Sequence, residues 1–77
     1  MILRDKLAQV LIRCRKDARI SQEKLAELSN VHRTYISQIE RGLKSPTIEV
    51  VFSICNALSI NTSDFIKEIE NGLYNQQ

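Results

Sequence analysis

Two short amphipathic segments with a three-residue break between them constrain the fold of this chain more than any other feature. The first begins at Ser21, a residue type that favours helix N-caps, and continues to about Leu28. After the break at 29–31, the second segment covers about 33–41 and ends before Gly42, a residue that suits a helix C-terminus. The pattern predicts two helices joined by a tight turn.

The residues inside this unit meet the requirements of a helix-turn-helix. Because the two helices must cross closely, the first needs a small residue, and Ala26 supplies it. Asn30 is the non-glycine residue that best tolerates a positive φ in the turn. The apolar residues predicted to fill the space beneath the pair are Leu25, Val31, Ile36 and Ile39. The side chains left exposed on the second helix are rich in hydrogen-bond donors: Arg33, Thr34, Tyr35, Ser37 and Gln38.

Periodicity and capping residues predict three more helices, at about 3–18, 48–58 and 62–73. Thr47 follows a proline and would cap the fourth helix, and Asn61 would cap the fifth. The apolar stripe of the first helix is Leu3, Leu7, Val10, Leu11, Cys14 and Ala18. The stripe of the fourth is Ile48, Val51, Phe52, Cys55 and Leu58. No segment alternates with period two for long enough to favour a strand, so the predicted fold class is all-α, with five helices.

Composition is typical of a small globular protein. Its 77 residues, 43% hydrophobic and 26% charged, suit one domain, 1–77, near the lower size limit for a self-sufficient core. No apolar run reaches the roughly 18 residues of a membrane span, and Asp5 interrupts any signal peptide. We therefore expect a cytoplasmic protein without membrane contact, and little room after the fifth helix for a ligand-sensing domain.

The residue inventory disfavours metal binding and catalysis. Cys14 and Cys55 lie 41 positions apart, and the chain has no CxxC pair and a single histidine, so zinc ligands at the usual spacing are lacking. Both cysteines fall on apolar stripes, which predicts buried small hydrophobes. A glycine-rich phosphate loop and a nucleophile–base pair are also missing from the sequence, so we expect no enzyme, no metal and no cofactor.

Charge is distributed unevenly along the chain. Residues 1–44 contain ten Lys/Arg and five Asp/Glu, whereas residues 45–77 contain one lysine and four acidic residues. A basic front half suits a molecule with one side that faces a polyanion, although uneven charge on solvated helices could give the same count.

The motif residues resemble a known family. Residues 21–26, SQEKLA, and 35–42, YISQIERG, are similar to the Xre/Cro-type helix-turn-helix family of phage repressors. The similarity continues through Ser45-Pro46-Thr47 and Ala57-Leu58, so it covers nearly the whole chain. It implies a lambda-repressor-like bundle with the helix-turn-helix at helices 2–3. The string HRTYIS at 32–37 further resembles the controller proteins of restriction–modification systems.

The resemblance implies a role for each matching residue. Residues expected to reach base edges in the major groove are Arg33, Thr34, Tyr35, Ser37 and Gln38, since Arg suits guanine and Gln suits adenine. Residues expected to bind backbone phosphates are Gln22, Arg41, Lys44 and Ser45. Arg15 and Glu40 match a structural salt bridge of the family. His32 stands at a cap position, either against a phosphate or without a role.

The chain departs from the family pattern where glycine is common. Arg19, Asn30 and Ser59 occupy these positions, and each would need a left-handed backbone that costs about 1 kcal/mol, less for Asn.

A single short helix reads few base pairs, so we expect a homodimer on a palindromic operator of double-stranded DNA. Surplus apolar residues within about 50–73 predict the interface: Val50, Ile54, Ala57, Ile60, Ile66, Ile69 and Leu73. The resemblance favours an autoregulating controller, with two dimers per operator and a contact to RNA polymerase as further options. A prophage repressor, an antitoxin of a toxin–antitoxin operon, or an adaptor that has lost DNA binding are the alternatives.

Overall fold

Residues 2–74 are described by a computed structural model and form five α-helices without a strand. The helices are α1 (Ile2–Asp17), α2 (Gln22–Ser29), α3 (Arg33–Glu40), α4 (Ile48–Ala57) and α5 (Thr62–Tyr74). Each predicted helix is present with its ends within one residue of the expected bounds, and the predicted all-α fold is confirmed. The predicted domain, 1–77, includes Met1 and residues 75–77, which lie outside the described residues.

The helices enclose one hydrophobic core. α1 packs on α3 and α5, α4 packs on α2 and α5, and α2 packs on α3. The largest side chains with less than 2% exposure are Leu11, Leu25, Ile36, Ile39 and Cys55. Because Leu25, Ile36 and Ile39 are among them, the predicted apolar wedge beneath α2 and α3 is confirmed, with Val31 half-buried at its edge.

The helices end at residues with a left-handed backbone. Arg19, Asn30 and Ser59 have φ angles of 60°, 58° and 58°, and Gly42 has a φ of 73°. These residues follow α1, α2, α4 and α3 respectively, so the predicted left-handed positions are confirmed. Three of the four connections between helices therefore place a non-glycine residue in the left-handed region, where its side chain has a steric cost that glycine would not have.

The predicted core face of α4 is wrong at two positions. Ile48 and Phe52 are 60% and 57% exposed, whereas Ile54, expected outside, is 2% exposed. The core face consists of Val51, Ile54, Cys55 and Leu58. α4 carries apolar residues almost all round, so its periodicity could not decide which stripe faces α2 and α5.

The ends of the predicted α1 stripe also differ from expectation. Leu3 is 42% exposed, Ala18 lies exposed beyond the helix end, and Ala8 is buried in the core instead. Cys55 is buried and Cys14 is half-buried, and burial raises the pKa of both thiols. The prediction of buried small hydrophobes is therefore confirmed for Cys55 but only in part for Cys14. None of the described helices is long and apolar enough to span a membrane.

Candidate nucleic-acid interface

The turn between α2 and α3 is built from local hydrogen bonds. The Ser21 hydroxyl accepts from the Lys24 backbone N–H at 2.9 Å and caps α2. At the other end, left-handed Asn30 lets the Val31 N–H donate to the Ala26 carbonyl at 3.1 Å. α2 packs on α3, and Ala26, the small residue that the sequence predicted for close packing, is 8% exposed and part of the core.

α3 is capped at both ends. His32 has an extended backbone, and its Nδ1 accepts from the Thr34 N–H at 3.1 Å. After the helix, Gly42 directs the Leu43 N–H to the Gln38 carbonyl at 2.9 Å. The imidazole therefore serves as an N-cap, a role that His32's position suggested but its residue type did not.

The outer face of α3 lines an open polar groove. Its walls are Gln22, Arg33, Thr34, Ser37, Gln38 and Arg41. Arg33 and Thr34 are exposed, and Ser37 and Gln38 are half-buried one turn later. Four of the five predicted base-reading residues thus share one surface. The fifth, Tyr35, is half-buried, packs against the hydrophobic core and does not line the groove.

Arg15 and Glu40, which the family resemblance pairs, form a two-bond ion pair between α1 and α3. Arg15 Nε and Nη2 donate to the Glu40 carboxylate at 2.7 and 3.0 Å, and the two side chains are 13% and 4% exposed. The bonds to Glu40 raise the pKa of Arg15 above its ordinary value. Gln22 Nε2 also donates to Glu40, at 2.9 Å, so this carboxylate joins three helices.

That bond bears on the phosphate contact predicted for Gln22. A phosphate only accepts hydrogen bonds, and one of the two N–H groups of the Gln22 amide already points to Glu40. One N–H is therefore left for a phosphate, next to the groove that Gln22 lines.

The segment after α3 presents basic and polar side chains. Arg41, Lys44 and Ser45, the other predicted phosphate-binding residues, are all exposed. Within residues 2–74, the cations that form ion pairs are Arg13, Arg15 and Lys24. The charges of Arg33, Arg41 and Lys44 are therefore not neutralised by carboxylates of the described chain, which leaves a positive surface around the groove.

The predicted dimer residues are mostly packed within the chain. Ile54 and Ile69 are 2% and 3% exposed, so their assignment to an interface is wrong. Four others are half-buried and pack against the core: Val50, Ala57, Ile60 and Leu73. Ile66 remains 39% exposed, beside the two α4 residues that the sequence analysis placed in the core, Ile48 and Phe52.

Two packed helices are joined by a left-handed turn, and the second lines a polar groove with basic surroundings. These features define a helix-turn-helix DNA-binding protein. The helix-turn-helix family model matches residues 11–65, and the chain belongs to this family, in its Xre-type branch. The family consists of DNA-binding transcriptional regulators and is not an enzyme family.

Similar proteins include a control protein and a restriction–modification controller protein. Control protein C.SmaI of Serratia marcescens is 32% identical over 77 residues, covering 100% of this chain and 89% of that protein. The crystal structure of the wild-type restriction–modification controller protein C.Esp1396I matches with a TM-score of 0.88 at 30% identity, covering 100% and 99% of the two chains. Two HTH-type transcriptional regulators of Mycobacterium tuberculosis are 43% identical over 47 residues, and the chain spans 34% of their length. The chain thus belongs to a family of transcriptional regulators and is similar to controller proteins.

Proposed function

We propose that this chain is a dimeric, sequence-specific regulator that controls transcription of its own restriction–modification operon. The observation that carries the proposal is the outward face of α3, whose donors line an open groove and whose arginine has no carboxylate partner in the described chain. A groove-facing row of this kind matches the donors and acceptors of base edges in the major groove.

In this proposal the two parts of the surface have different tasks. Arg33, Thr34, Ser37 and Gln38 read base edges, with Tyr35 contributing its exposed rim. Arg41, Lys44, Ser45 and the free N–H of Gln22 bind phosphates, which sets the register of α3 on the duplex. The target is double-stranded DNA, so the protein would act in the cytoplasm.

A dimer would present two α3 helices about 34 Å apart to a palindromic operator. The surface that supports dimerisation is the exposed apolar patch of Ile48, Phe52 and Ile66 at the junction of α4 and α5. Three large apolar side chains, 60%, 57% and 39% exposed, are unusual on one side of so small a chain, and a second copy would remove them from water.

The controller role is favoured by the similarity to two control proteins, C.SmaI and C.BamHI, and to the C.Esp1396I structures. Occupation by two dimers and a contact with RNA polymerase would then convert activation into repression as protein accumulates. A prophage repressor is the second candidate, because the immunity repressor of Bacillus phage phi105 is 33% identical over 54 residues. Footprinting upstream of the chain's own gene, with identification of the adjoining genes, separates a nuclease–methyltransferase pair from a phage operon.

The reading mechanism is tested by two substitutions with different expected results. Arg33→Ala should weaken binding to the specific site by about 1–3 kcal/mol and relax the preference at one base pair, because it removes a base contact. Lys44→Ala should weaken specific and non-specific DNA equally, because it removes a phosphate contact. Binding is measured by fluorescence anisotropy on the operator and on each single-base variant.

Lys6→Ala is the matched control, since Lys6 is a cation of α1 whose side chain lies against Gly72 of α5 and forms no ion pair within residues 2–74. Its DNA affinity should equal that of the wild type. Uniform losses of equal size from Arg33→Ala and Lys44→Ala would contradict the assignment of Arg33 as a base reader.

A further inference from the structure

The first turn of α1 contacts the segment that follows α3. Arg4 Nη1 donates to the Leu43 carbonyl at 3.2 Å, across 39 positions of sequence. Leu43 immediately precedes Lys44 and Ser45, and Arg4, Leu43, Lys44 and Ser45 are all exposed. A guanidinium is therefore held at the edge of the surface proposed to bind phosphates.

The contact between α1 and this segment is close. Gly42 has a φ of 73°, and a Cβ atom built on it would lie 3.0 Å from Asp5 Oδ1. The first turn of α1 thus limits the path of the chain after α3, and the Arg4 bond anchors the next residue of that path. The bond therefore brings the Arg4 guanidinium to the residue that directly precedes Lys44.

The bond to Leu43 leaves most of the guanidinium available. Arginine has five N–H donors, and the structure uses one of them at the carbonyl. Asp5 follows directly in sequence, but the ion pairs of the described residues do not include Arg4. A positive group with free donors in a planar fork is the preferred partner of a phosphate.

We propose that Arg4 is a further DNA phosphate contact, contributed by α1 and held against the proposed phosphate-binding segment by the Leu43 carbonyl. This inference rests on the proposed DNA-binding function. It extends the contact surface beyond the helix-turn-helix to the first turn of the first helix.

The test is the salt dependence of DNA affinity. Each phosphate neutralised by a cation releases counterions, so Arg4→Ala should lower the slope of log K against log salt concentration by about one for each bound protomer. At about 0.1 M salt the affinity should fall roughly 5- to 10-fold per protomer, on specific and non-specific duplexes alike. Arg4→Lys keeps the charge and should keep most of the slope.

Lys6→Ala should leave the slope unchanged, and thermal unfolding of each variant verifies that the fold is intact. An unchanged slope in Arg4→Ala overturns the proposal, whether or not affinity falls, because an anchoring role alone releases no counterion. If the wild type binds DNA and Lys44→Ala lowers the slope while Arg4→Ala does not, only the role of Arg4 fails. If the wild type shows no salt-dependent binding, the proposed function itself fails.

Discussion

Arg19 illustrates how a single residue can lower stability without losing any contact. It follows α1 with a φ of 60°. In this left-handed region the Cβ atom of a side chain lies too close to the backbone, whereas glycine has no Cβ and avoids the clash. Arg19→Gly should therefore raise stability by about 1 kcal/mol, which is roughly 4–8 °C in Tm for a domain of this size. Differential scanning calorimetry measures the change.

Two other left-handed residues serve as comparisons for Arg19. Ser59→Gly, at a φ of 58° after α4, should give a similar gain. Asn30→Gly should give less, because Asn tolerates the left-handed region better than Arg or Ser. A Tm for Arg19→Gly equal to or below that of the wild type would show that the backbone strain is smaller than the flexibility glycine adds to the unfolded chain.

At the scale of whole helices, the Glu40 carboxylate holds α3 against α1. Glu40→Ala leaves Arg15, 13% exposed, without its ion-pair partner, and frees the Gln22 amide. Breaking a pair this deeply buried should cost about 3 kcal/mol, measured by urea unfolding. The surface pair of Arg13 with Asp17 is the control, since its side chains are 49% and 66% exposed and Asp17→Ala should cost at most about 1 kcal/mol. Equal losses in the two variants would contradict a supporting role for Glu40.

The helices were predictable because their ends carry local signals. Ser21 and Thr47 accept backbone N–H groups at the starts of α2 and α4, as residues of their type do in many contexts. Asn30 and Gly42 mark the ends of α2 and α3 by their tolerance of a positive φ. Such signals depend on a few neighbouring residues, so they survive in any tertiary environment.

Which side of a helix faces the core depends on the neighbouring helices, and for α4 the sequence did not predict this side correctly. α4 has apolar residues on the side that carries Ile54 and also on the side that carries Phe52. The first side packs on α2 and α5 and is buried, whereas the second stays exposed. The groove residues were easier, because polar side chains flanking the buried Ile36 and Ile39 could lie only outside. Tyr35 was ambiguous, since a large ring with one hydroxyl suits a half-buried site as well as an exposed one.

For the whole molecule, the exposed apolar patch of Ile48, Phe52 and Ile66 allows the effects of a substitution on folding and on dimerisation to be measured separately. Phe52→Ser changes an exposed side chain, so the unfolding free energy of the monomer should stay within about 0.5 kcal/mol. Ile54→Ala removes buried methyl groups and should cost about 2–5 kcal/mol. If the patch of Ile48, Phe52 and Ile66 joins two copies, Phe52→Ser should be a folded monomer.

Sedimentation equilibrium and DNA binding then distinguish the two substitutions. A monomeric Phe52→Ser should retain weak, salt-dependent binding to any duplex, because each α3 and its phosphate contacts remain intact. It should lose most of its preference for the operator, because one recognition helix reads only half of a palindrome. Ile54→Ala, at temperatures where it remains folded, should dimerise and select the operator as the wild type does. A dimeric Phe52→Ser would show that another surface joins the two copies, and that the exposed side chains of α4 and α5 are not what holds two readers one helical turn apart.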